Sequence, residues 1–129
     1  MKKAFSLLEL IFAIVVIGII ASFAVPKYID TRDNALATTV KRDLITVITS
    51  LQSYYLINQN IDKITDSVSI NKSNWIIEDK KIVFNDKNEE CLSLELKESS
   101  IIIQIEPSRG SVCKILDKMG VEDEVFDLI

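Results

Sequence analysis

The chain opens with a nearly unbroken apolar run. From Phe5 to Val25 the one charged residue is Glu9, and the next ionisable residue is Lys27. Wound as a helix, those 21 residues reach roughly 31 Å, enough to cross the hydrocarbon core of a bilayer. Beyond Lys27 the pattern narrows to a stripe. Ile29, Leu36, Val40, Leu44, Val47, Ile48, Leu51 and Tyr55 recur mostly at spacings of three, four and seven, the signature of an amphipathic helix. Arg32, Asp33, Lys41, Arg42 and Asp43 are read as its opposite face. No proline follows Pro26 in this stretch, so the pattern predicts one helix from Phe5 to about Ile57. At 1.5 Å per residue it would be roughly 80 Å long. Its first half is apolar all round, and its second half offers one face to a sheet.

The remainder reads as β. Asn58 to Asn74 is rich in Asn, Asp, Ser and Thr and is expected to be a loop, with a short helical turn near Ile61 and Ile64. Trp75-Ile76-Ile77 and Lys81-Ile82-Val83-Phe84 flank Glu78-Asp79-Lys80 as a hairpin. From Cys91 to Leu96 the chain alternates, with Leu92, Leu94 and Leu96 on one face and Ser93 and Glu95 on the other. Ser100 to Ile105 is β-branched and fits a central strand, and Glu106 to Gly110 is a turn punctuated by Pro107 and Gly110. Val112 to Leu116 is read as a short last strand. Four or five antiparallel strands packed on one long helix make an α+β fold.

Composition removes several functions. There is no histidine, which excludes a Ser-His-Asp triad, a Cys-His pair and most zinc sites. Three glycines leave no room for a Gly-rich phosphate loop. The net charge is −4, and the part after the apolar run is more acidic still, so a basic nucleic-acid surface is not expected. Serines abound, yet no base of suitable type is identifiable, and carboxylate pairs fall only in apparent turns. The expectation is a non-enzyme with no cofactor and no metal.

Three readings compete for the N-terminus. A secretory signal would use Lys2 and Lys3 as its basic region and Ser22-Phe23-Ala24 as its small-residue cleavage site. A plain anchor would need only the apolar run. Glu9 separates both from a third. A carboxylate in a membrane segment costs about 2.5–3.5 kcal/mol at the helix centre and less near an end, and neither of the first two readings has a use for it.

Met1-Lys2-Lys3-Ala4-Phe5-Ser6-Leu7-Leu8-Glu9-Leu10 resembles the processing site of type IV pilins and type II secretion pseudopilins. Members of that family carry a short basic leader, a small residue, then Phe, with Glu fifth in the mature chain. The residue before the cut is usually Gly and is Ala4 here. The resemblance implies cleavage by a prepilin peptidase between Ala4 and Phe5, N-methylation of Phe5, and assembly roles for Glu9, Gly18 and Pro26. It also implies other pilin-like subunits and an inner-membrane assembly platform as partners. The expected layout is a leader at 1–4, a membrane and assembly helix at 5–26, its amphipathic continuation at 27–58, and a periplasmic globular part at 59–129. Lys2 and Lys3 would hold the N-terminus in the cytoplasm by the positive-inside tendency. The expected function is a structural subunit of a filament serving protein secretion or DNA uptake, without direct nucleic-acid contact. The alternative is an exported or anchored periplasmic binding module.

Two cysteines remain to be placed. Export to an oxidising compartment favours a Cys91–Cys113 disulfide, which would close a loop of 22 residues and contribute about 3 kcal/mol in the chain-entropy model. Two buried free thiols are the other reading, and the spacing is not that of a redox C-x-x-C pair. Glu122-Asp123-Glu124 with Asp127 is read as a solvated acidic turn rather than a calcium loop, and Asn85 to Glu90 as an exposed turn. Tyr54, Tyr55 and Trp75 are read as packing residues rather than base-stacking ones.

Overall fold

The computed structural model describes residues 4–128, apart from the side chain of Ile29. The expectations for Lys2, Lys3, Ile129 and the Ile29 position in the stripe lie outside what is described. The chain divides into two compact units, 1–32 and 33–129.

Helix α1 runs Leu7–Asn58, as the hydrophobic pattern requires, and passes through Pro26 without a break in assignment. In the first unit every described side chain from Ala4 to Val25 is exposed, including Phe5, Leu8 and Phe23 at 76%, 77% and 75%. A surface of that size and apolarity has to be covered by lipid or protein. α1 ends where Gln59 turns into the left-handed region (φ 60°), its N–H bonded to the Tyr55 carbonyl at 2.8 Å.

The second unit is an α+β layer. After a loop with a 3-10 turn at Ile64–Asp66, the strands are β1 (Trp75–Ile77), β2 (Lys81–Asp86), β3 (Glu89–Lys97), β4 (Ser100–Ile105) and β5 (Glu124–Asp127). They form one antiparallel sheet in the order β1-β2-β3-β4-β5. The register sets Phe84 opposite Leu92 and Ile82 opposite Leu94, then Leu92, Leu94 and Leu96 opposite Ile105, Ile103 and Ile101. These side chains share one buried cluster with Ala37, Val40, Leu44, Val47 and Leu51 of α1. The stripe therefore packs on the sheet. Leu36, Ile48 and Tyr55 are half-buried at its margins, and Ala37, too small to be read as a stripe residue, is fully buried. Trp75 packs edge-on to Phe84 with ring centroids 6.0 Å apart, as a packing residue should.

Three expectations need correction. First, Val112 to Leu116 is not a strand. The segment is helix α2 (Ser111–Lys118), which buries Val112, Cys113 and Leu116 and exposes Lys114, Asp117 and Lys118. Four apolar residues around one lysine do not distinguish strand from helix. The decisive signal lies after it. Gly120 adopts φ 97°, its N–H bonds to the Asp117 carbonyl, and the Val121 N–H bonds to the Leu116 carbonyl at 3.0 Å. That is a Schellman stop, completed by burial of Val121 against the core that holds Leu116. Second, the fifth strand is Glu124–Asp127. Glu124 begins β5, and Asp123 accepts the Ile105 N–H at 2.8 Å, so the acidic run is not simply a solvated turn. Third, Asp33, Lys41 and Asp43 do not face away from the domain. The Ser111 hydroxyl donates to Asp33 at 2.8 Å, the Lys41 ammonium to the Met119 carbonyl at 2.9 Å, and Trp75 Nε1 to Asp43 at 3.2 Å. They are the polar rim of the buried stripe.

Candidate processing and assembly segment

Ala4, Phe5 and Ser6 carry no regular secondary structure, and α1 starts at Leu7. Ser6 is its N-cap: the side-chain oxygen accepts the Glu9 N–H at 3.1 Å, and the carbonyl accepts the Leu10 N–H at 3.0 Å. Glu9 thus lies in the first turn, where the positive end of the helix dipole favours a carboxylate. The sequence signal was available as the Ser-x-x-Glu spacing of a capping box, and hydropathy reasoning passed over it.

Gly18 and Pro26 both lie inside α1. A Cβ built on Gly18 meets nothing within 4 Å, so no contact within the chain requires glycine there. What remains is its lower helix propensity and the close approach it allows a neighbouring helix. Pro26 has no N–H to give the Ser22 carbonyl, one turn earlier. Ala4, Phe5, Glu9, Gly18 and Pro26 all belong to the first unit.

Cys91 and Cys113 belong to the second unit, where they are joined in a disulfide with Cα atoms 6.2 Å apart. Cys113 is on α2 rather than on a strand. Cys91 reaches it because of a bulge. Pairing of β2 with β3 jumps from Phe84–Leu92 to Asn85–Glu90, which leaves Cys91 without a partner opposite. The extra residue re-aims its side chain, so neighbours Cys91 and Leu92 are both buried. Asp86 faces inward by the ordinary alternation of β2, on the side of Ile82 and Phe84, and accepts the Val112 N–H at 3.0 Å. The turn expected over 85–90 is shorter: Asn85, Asp86, Glu89 and Glu90 pair in the strands, and only Lys87 and Asn88, at φ 51° and 70°, make the tight hairpin.

One surface was misread at the level of sequence. From Ala35 to Leu56 the outward residues of α1 are Ala35, Thr38, Thr39, Arg42, Ile45, Thr46, Thr49, Ser53 and Leu56, with Arg42 their one charge. The four threonine hydroxyls donate to carbonyls one turn back, at 2.8–3.1 Å. A solvent face normally carries many charges. This one is small, weakly polar and internally satisfied, so its desolvation is cheap.

Among the described residues no group of three or more His, Cys, Asp or Glu side chains is placed to hold a metal ion. Part of α1 is long and apolar enough to cross a membrane, by length and composition. No curated protein and no solved structure matches the chain. The family comparison does return a match, to the prokaryotic N-terminal methylation motif. Proteins with that motif are structural, are processed by a prepilin peptidase and assemble with other pilin-type subunits. The exposed apolar helix is consistent with anchoring in an inner membrane. Residues 1–25 of this chain thus carry the hallmark of type IV pilins and pseudopilins.

Proposed function

We propose that the protein is a structural subunit of a type IV pilus-like filament serving protein secretion or DNA uptake. The N-terminal methylation motif over residues 1–25 carries this reading. In it the peptidase cuts between Ala4 and Phe5, the new Phe5 amine is methylated, and α1 stays in the inner membrane with the globular unit in the periplasm. On assembly the apolar surface from Phe5 to Val25 passes from lipid to the helices of neighbouring subunits. Glu9 pairs with the Phe5 amine of an adjacent subunit. Removing one partner from a desolvated ion pair costs about 3–5 kcal/mol, enough to decide register. Gly18 and Pro26 let the helix between them loosen during that transfer. The weakly polar outward face of α1 supports the same reading, because a filament gives it something to pack against.

Two measurements test this. The mass of the N-terminal peptide from membrane-extracted protein should correspond to a chain starting at Phe5 with one added methyl. A chain starting at Val25 would instead mean ordinary secretion, and the filament reading would fall. Glu9→Ala should remain in the membrane and fail to enter filaments; normal incorporation would remove Glu9 from its role. A deletion strain assayed for both secreted protein and transformation separates the two machines.

A further inference from the structure

We propose that Ser6 is a positioning residue that keeps the Ala4–Phe5 bond outside the helix and so presents it for cleavage. The inference rests on the processing reading above. In an α-helix that began one turn earlier, the Glu9 N–H would bond to the Phe5 carbonyl and the Leu8 N–H to the Ala4 carbonyl. Ser6 intercepts the first of these, since its Oγ takes the Glu9 N–H at 3.1 Å. The Ser6 carbonyl takes the next donor, Leu10 N–H, at 3.0 Å, so the ladder begins there and not upstream. Residues 4–6 are accordingly non-helical and exposed.

The local sequence gives this cap something to oppose. Alanine is the best helix former and stands at the scissile position, three residues before a run that is helical from Leu7 onward. Hydrolysis needs water to add to the Ala4 carbonyl carbon. The bond to the Phe5 nitrogen then breaks, and that nitrogen takes up a proton to become the free amine. A helical Ala4 carbonyl would be tied to Leu8 N–H and shielded by the following turn. The capped one is free to be bound in extended form.

The test is a pulse-chase of the full-length chain in membranes containing the peptidase, with leader removal read by mass. Four variants are compared: Ser6→Ala, Ser6→Val, Ser6→Thr and Ser6→Asn. Cleavage should slow about fivefold for alanine and valine, which do not cap, and stay near the parent rate for threonine and asparagine, which do. The asparagine variant separates capping from recognition of a hydroxyl. Cleavage of Ser6→Ala at the parent rate, or of Ser6→Asn as slowly as Ser6→Ala, overturns the inference while the processing reading stands. A parent chain left uncut at Ala4–Phe5 overturns both.

Discussion

Asp86 and Gly110 compete for the same small volume at the start of α2. A Cβ on Gly110 would overlap the Asp86 carboxylate and lie 2.7 Å from its Cβ and Cγ. The Gly110 backbone is extended (φ 179°), a conformation open to any residue, so the requirement for glycine is steric. In exchange the helix gets a cap that its own N-cap glycine lacks, from a residue that is distant in sequence, since Asp86 bonds the Val112 N–H. The other end of α2 is served likewise, by the Lys41 ammonium on the Met119 carbonyl.

Gly110→Ala should therefore destabilise the globular unit by about 1–3 kcal/mol, the usual cost of overpacking. Asp86→Ala should cost about 1–2 kcal/mol through the lost cap. The two should not add, because truncating Asp86 removes part of the clash. Thermal unfolding followed by Trp75 fluorescence, over a double-mutant cycle, reads the coupling. Strict additivity would contradict the shared-volume account.

The Cys91–Cys113 bridge holds α2 to the bulge of β3. Replacing both cysteines by alanine should lower stability by about 3 kcal/mol. The parent protein under reducing conditions should shift in the same direction. An unchanged unfolding midpoint in both would show that packing of Val112 and Leu116 alone holds α2 in place.

Gly120 stops α2 at a positive φ of 97° with open space around it. Gly120→Ala is then a test of backbone conformation alone, and about 1 kcal/mol should be lost. Gly120→Asn should lose less, since asparagine tolerates the left-handed region. Comparable losses for both would point away from backbone strain.

Ile45 is 53% exposed on the outward face of α1, beside threonines that bond to their own helix. Ile45→Asp should leave the stability of the isolated subunit within about 0.5 kcal/mol, as surface changes do. It should nevertheless reduce entry into filaments, measured as sheared-filament yield against membrane-held subunit. Normal yield would make this face a plain solvent surface.

The N-terminal segment was legible in the sequence because its constraints are local. The methylation motif over residues 1–25 is linear, and an apolar run of this length speaks for itself. The stripe of α1 and the alternation in β3 and β4 were legible for the same reason, since period 3.6 and period 2 are written along the chain. The segment Val112–Leu116 was misread as a strand because four apolar residues around one lysine are too short a stretch to show either period. Its correction rests on Gly120 and on a cap from Asp86, of which only the first is nearby. What tertiary structure alone decided is the fate of the polar residues. Asp33, Lys41, Asp43, Asp86 and Asp123 all looked like solvated charges, and each bonds to a partner distant in sequence. A charge has no periodicity that reveals its partner. The partner becomes known only when the fold brings it close: a backbone N–H to Asp86 and Asp123, the Ser111 hydroxyl to Asp33, the Trp75 indole to Asp43 and the Met119 carbonyl to Lys41.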